Sequence, residues 1–157
     1  LEDIDPVRFI GNRSSGKMGY ALAEQAARQG AEVVLVSGPV ALEINHPNIN
    51  LIHVRSAQQM MDAVQAQLES SEFDVFIGAA AVADYTPIQV SEQKIKKSEQ
   101  ASDEMVIQLK KNPDIIAGVA AHVNRPQRVV GFAAETQDVV GYAQSKLARK
   151  NLDWIAA

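Results

Sequence analysis

Apolar residues at Met18, Ala21, Leu22 and Ala26 recur three and four positions apart, which marks one face of a helix over Lys17 to Gln29. Ser14 or Ser15 is placed to cap its start, and Gly30 to end it in the left-handed conformation. "AEVVLVSGP" then runs apolar without alternation, as a buried strand does, and "NLIHVR" repeats the pattern after a polar loop. Ser56 is placed to cap a second helix whose apolar face holds Met60, Val64 and Leu68. "FDVFIGAAA" is a third strand, "MVIQL" a fourth, "RVVGFAAET" a fifth and "LDWIAA" a last. Between them "PDIIAGVAAHV" reads as a short helix with Pro113 in its first turn, and Gln137 to Lys150 as a longer one. The span 82–104 is polar and charged, contains Pro87, and reads as a long flap loop.

Strands and helices alternate along the whole chain, and the strands are continuously apolar. That combination predicts an α/β fold of Rossmann-like three-layer α/β/α type, with a mainly parallel sheet covered on both faces. The 157 residues, 46% hydrophobic, suit a single domain over 1–157. In such sheets ligands bind beyond the carboxyl ends of the strands. Attention therefore falls on Gly11 to Gly19, Gly38-Pro39, Gly78 to Tyr85, Lys110 to Pro113 and Gly131 to Thr136.

Charge and composition narrow the partners. A net charge of -4 speaks against nucleic acid or an anionic membrane as partner. No apolar run approaches the roughly 18 residues that span a bilayer, so a cytoplasmic domain is expected. The absence of Cys removes thiol nucleophiles and thiolate metal sites, and the three His are scattered.

"GNRSSGKMGY" carries most of two phosphate-binding patterns and completes neither. A nucleotide-hydrolase loop needs Ser or Thr after Lys17 to hold magnesium, and Met18 stands there. A dinucleotide fingerprint needs Gly where Ser14 stands and an acidic residue after the next strand, which instead ends Ser37-Gly38-Pro39. A short-chain dehydrogenase would use Tyr142 and Lys146, yet the Ser it requires about a dozen residues earlier is missing from Gly131 to Thr136. What remains is a helix start with hydroxyls at Ser14 and Ser15 and free N–H groups near Gly16, a generic phosphate or substrate site. After the third strand, Gly78, Ala79 and Ala80 leave room for a flat ring or sugar, and Asp84 is placed to hold a ribose hydroxyl or nucleotide-bound Mg²⁺. Lys94, Lys96, Lys97, Lys110 and Lys111 put five cations within eighteen residues of an acidic chain, a zone suited to a triphosphate.

"NRSSGKMG", "AAVADY", "KIKK", "KNPDI", "GFAAET" and "KLARKNLD", in this order, closely resemble the phosphopantothenoylcysteine synthetase family, the synthetase half of a bacterial bifunctional coenzyme A biosynthesis protein. The resemblance covers nearly all of the chain. It implies a ligase that joins 4'-phosphopantothenate to L-cysteine at the expense of CTP, with Mg²⁺, through an acyl-cytidylate, and releases pyrophosphate and CMP. It implies that Asn12 serves turnover of the acyl-cytidylate and Lys94 its formation. It places Gly78, Ala79, Ala80, Asp84, Lys110, Lys111, Asn112, Pro113, Phe132, Lys146 and Lys150 around the nucleotide. Family members are dimers in which the flap of one protomer contributes to its neighbour's site. A flavin-dependent decarboxylase half, usually fused upstream, carries the FMN of such proteins. The family's first strand and its "GGT" turn are expected before Leu1, and a closing segment beyond Ala157, so the chain reads as a piece of that domain. The alternatives left beside the ligase are the dehydrogenase-like oxidoreductase and an inactive nucleotide-binding module.

Overall fold

The computed structural model describes residues 1–96, 104–133 and 138–157. Lys97, the flap residues 97–103 and the "AET" of "GFAAET" lie outside them. In chain order the elements are β1 (Glu2–Asp5), β2 (Arg8–Ile10), α1 (Lys17–Arg28), β3 (Val33–Ser37), β4 (Ile49–His53), α2 (Ala57–Ser70), β5 (Val75–Gly78), β6 (Tyr85–Pro87), β7 (Leu109–Lys111), α3 (Ile115–Ala120), β8 (Arg128–Phe132), α4 (Val139–Arg149) and β9 (Trp154–Ala156). This is the expected Rossmann-like α/β architecture with mainly parallel strands. β3 pairs with β4, and β8 lies between β5 and β9, all parallel. Parallel neighbours need long crossovers, and α3 and α4 lie in those leading into and out of β8.

The helices form where periodicity places them because their ends are written locally. Ser56 accepts the Gln59 N–H at 3.1 Å and the Gln59 side chain returns to the Ser56 N–H, a complete capping box for α2. At the end of α1, Gly30 takes φ 93°, with its N–H on the Ala27 carbonyl and that of Ala31 on Ala26. Val64 and Leu68 of α2 join Ile115, Val119, Ala120, Val129 and Leu152 in the core, and Met60, Val36 and Phe76 pack against it.

Several expectations are corrected. The parallel strands form two ladders, β3–β4 and β5–β8–β9, rather than one sheet among the described residues. Nor is β5 covered on both faces: Val75 is 49% and Ile77 43% exposed. The strand expected at "MVIQL" forms instead at Leu109–Lys111, where β6 offers an antiparallel partner with Pro87 opposite Leu109. Within the span read as a loop, Tyr85 to Pro87 is therefore a strand. The short helix begins at Ile115 because the Asp114 carboxylate accepts the Ala117 N–H and caps it, which leaves Pro113 outside. At the chain start, "EDID" and "RFI" close an antiparallel hairpin with a bulge between Asp3 and Asp5.

Candidate active site

Neither Ser14 nor Ser15 caps α1. The cap is Gly16, in the left-handed region at φ 74°, where a Cβ would come within 2.9 Å of Val40 Cγ1. The two hydroxyls accept the N–H groups of Gly16 and Lys17 at 3.4 and 3.5 Å, and the local turn they form lifts the chain into the helix. A few residues on, the Tyr20 hydroxyl donates to Ser37 Oγ at 3.1 Å and ties α1 to the carboxyl end of β3. Neither partner of that buried brace was marked by sequence reasoning, since a Tyr–Ser contact has no spacing signature.

The loop after β5 is where separate parts of the chain meet. Asn12 Nδ2 donates to the Val82 carbonyl at 3.0 Å, Asn112 Nδ2 to the Ala83 carbonyl at 2.8 Å, and the Asn112 N–H to the Asp84 carbonyl at 2.9 Å. Two asparagines far apart in the sequence thus grip three consecutive carbonyls, two through their side-chain amides and one through the Asn112 backbone N–H. Asn12 and Asp84 are exposed beside that grip, and Ala79 faces Gly19 of α1. Gly78 pairs with Gly131 across the β5–β8 ladder, and their missing side chains leave the space filled by Ile116 and, at Gly131, Leu152. The smallness of Gly78 therefore serves packing as well as any approach of a ligand.

Phe132 ends β8 at the same edge, and its carbonyl accepts from Lys146 Nζ at 2.7 Å. Lys150 reaches Asp114 at 2.8 Å, so Lys146 of α4 and Lys150, which caps its end, run to different neighbours. Burial works against the Asp114 charge, but the Lys150 bond, the Ala117 N–H and the nearby Lys150 and Arg149 charges hold its carboxyl below the usual range. Lys150 arrives with its charge largely answered, whereas Lys146 meets a neutral carbonyl and keeps two N–H donors for an anion. Tyr142, the partner a dehydrogenase would need, is 57% exposed on the same helix.

Lys110 and Lys111 stand apart from the asparagine grip. With Asn112 and Pro113 they line a cavity of about 520 Å³ between β1, the start of α2 and the β6–β7 ladder. The charges opposite them there are already matched. Arg55 forks onto Asp3 at 2.6 and 2.7 Å, and this bond holds the Asp3 carboxyl below its usual range. Glu2 accepts the Ala57 N–H at 2.8 Å. Asn112 borders both spaces and is the residue that links them. Lys94 is exposed on the first leg of the flap, and none of the described contacts joins it to the Asn12 cluster. No three His, Asp or Glu side chains gather into a metal cage among the described residues. A single carboxylate at Asp84 suits Mg²⁺ that arrives on nucleotide phosphates, because that ion keeps most of its ligands from phosphate and water.

Residues 1–157 match the family described as DNA/pantothenate metabolism flavoprotein C-terminal domain. The chain belongs to that family. The coenzyme A biosynthesis bifunctional protein CoaBC of Vibrio vulnificus strain YJ016 is 56% identical over 156 residues, 99% of this chain and 38% of that protein. The chain thus spans well under half the length of this relative. The crystal structure of the C-terminal domain of a coenzyme A biosynthesis bifunctional protein CoaBC is similar at TM-score 0.80 and 43% identity, covering 98% of this chain and 69% of that one. The DNA/pantothenate metabolism flavoprotein from Streptococcus pneumoniae is similar at TM-score 0.81 and 27% identity, covering 98% and 76%. Membership in this family accords with the order of motifs from "NRSSGKMG" to "KLARKNLD". No helix among the described residues is long and apolar enough to cross a membrane.

Proposed function

We propose that this domain is a CTP-dependent ligase of coenzyme A biosynthesis that joins 4'-phosphopantothenate to L-cysteine. The observation that carries the reading is the Asn12 amide, held on the Val82 carbonyl at the carboxyl end of β5, with its second N–H left to face a ligand. In the first step a carboxylate oxygen of 4'-phosphopantothenate attacks the α-phosphorus of CTP. The bond to the bridging oxygen breaks, and pyrophosphate leaves. In the second, the cysteine amine attacks the acyl carbon, the bond to the cytidylate oxygen breaks, CMP leaves and the amine proton passes to solvent. A neutral amide can donate to the carbonyl oxygen as negative charge develops there, which fits Asn12 to the second step. The cations of Lys94 and Lys146 fit the first, where charge accumulates on the departing phosphates. Gly78, Ala79 and Ala80 border the nucleotide, with Phe132 and Asn112 as its walls, and Mg²⁺ shared between its phosphates and Asp84 would supply further charge neutralisation.

Val7 and Phe9 of the hairpin, Ile88 and Val90 of the first flap leg and Val106 just beyond the flap are all at least half exposed. Apolar residues so concentrated around one feature support a homodimer that buries them. Two measurements on the full-length protein test the reading. Pyrophosphate should be released only when CTP, Mg²⁺ and 4'-phosphopantothenate are all present. CTP with Mg²⁺ should raise the thermal midpoint and NADP⁺ should not. Stabilisation by NADP⁺ alone, with no pyrophosphate formed, would overturn the ligase in favour of an oxidoreductase.

A further inference from the structure

Asp5 is a carboxylate where none is expected, 1% exposed in the turn of a surface hairpin. Turn aspartates ordinarily stay in water, and a buried carboxylate is costly unless its oxygens are satisfied. Oδ1 accepts the N–H groups of Val7 and Arg8, both at 2.9 Å, and these bonds shape the turn. Oδ2 does something else. It faces Arg8 Nε at 3.1 Å and accepts the N–H of Ile95 at 3.2 Å, from 90 residues further along the chain. Arg8 completes the hold: its Nη2 donates to the Ile95 carbonyl at 2.6 Å. Both backbone groups of one flap residue are therefore gripped by a neighbouring acid and base. Arg8 Nη1 also lies 3.7 Å from Met105 Sδ on the returning leg, and the Ser91 N–H meets the Ile4 carbonyl at 2.9 Å.

Lys94 and Lys96 flank the gripped residue. The peptide plane that joins Lys94 to Ile95 carries the N–H held by Asp5, and the plane that joins Ile95 to Lys96 carries the carbonyl held by Arg8. With both planes fixed, the hairpin sets where the Lys94 Cα lies, and rotation about its Cα–C bond and the side-chain torsions are the freedom that remains. We propose that Asp5 is a positioning residue for Lys94: through the Ile95 backbone it holds the flap lysine in place for the activation step. This rests on the ligase reading given above, and it adds the β1–β2 hairpin to the machinery of that reaction.

Asp5→Asn in the full-length protein tests it, because the amide keeps the shape but presents donors where Oδ2 accepts. Amide hydrogen exchange at Ile95 should quicken by about tenfold or more. Pyrophosphate release at saturating CTP should fall about tenfold, with half-saturating CTP and the cysteine-dependent turnover of supplied acyl-cytidylate within about twofold of wild type. Unchanged exchange, or two half-reactions slowed alike, would overturn the proposal. Should Asp5→Asn fail to fold, Ile95→Pro deletes the donor and leaves the hairpin turn its own partners. The same split between half-reactions is expected, and normal pyrophosphate release would overturn the proposal. If the wild type itself released no pyrophosphate from CTP, the ligase reading would fall, while the exchange comparison would still decide whether Asp5 holds the flap.

Discussion

At the scale of single residues, Asn12 shows how a modest side chain acquires a role from what holds it. An asparagine ahead of two serines is an ordinary loop residue in sequence, and its donation to Val82, 70 residues away, aims the amide at the loop after β5. Asn12→Asp removes the donor and faces the developing oxyanion with a charge. CTP should still be consumed and the acyl-cytidylate should accumulate, with product formation down about 100-fold or more; mass spectrometry of quenched reactions would show the intermediate. Lys94→Gln should act one step earlier and abolish pyrophosphate release, so that no intermediate is trapped. Gly16 carries a structural constraint of its own. Gly16→Ala brings a Cβ against Val40 and forces a residue with a side chain to hold φ 74°. A loss of about 1–3 kcal/mol in urea denaturation is expected.

At the scale of elements, what was legible is what a few neighbouring residues decide. The capping box of α2 lies in four residues, and Ser56→Ala should cost about 1 kcal/mol by the same measurement. The end of α1 at Gly30 and the buried face of α2 were readable for the same reason. The misplaced elements are those whose hydrogen bonds go elsewhere. "MVIQL" has strand composition, yet the ladder forms on "LKK" because Tyr85 to Pro87 pairs there. The β1–β2 hairpin went unread because two strands of four and three residues around Asp5-Pro6 carry too little periodicity. Its turn is stabilised by the buried Asp5 carboxylate, which a sequence shows only as a charge.

For the molecule as a whole, stability is tied to carboxylates that link distant segments. Asp153 accepts the Val129 N–H at 2.7 Å and pairs with Arg125 at 2.7 Å, which fixes β8 beside the approach to β9. Those two bonds outweigh its burial and hold its carboxyl below the usual range. Around Asp5, burial pushes the other way, but the N–H groups of Val7 and Ile95 and the Arg8 charge prevail. Asp3, bonded to Arg55, is lowered too. A carboxylate whose folded pKa is depressed contributes stability above its unfolded pKa and loses it as pH falls through the folded value. The thermal midpoint should therefore be flat through neutral pH and drop below about pH 4. Asp153→Asn should start from a lower midpoint and show a shallower acid decline. A wild-type midpoint unchanged down to about pH 2 would contradict the linkage.

The sequence by itself determined the α/β class, the helices, the start of α2 at Ser56 and the end of α1 at Gly30, and the set of motifs from which a site could be drawn. Apolar periodicity and capping act over three or four residues, so they can be read without knowing how the chain folds back on itself. Only the tertiary structure decided which motifs meet. It set Asn12 and Asn112 on one loop, turned Lys110 and Lys111 to a separate cavity, gave Lys150 to Asp114, and hung Ile95, beside Lys94, from a hairpin near the chain's start. Each of those outcomes rests on a hydrogen bond or ion pair between segments tens of residues apart, and such bonds exist only once the core has brought their partners together.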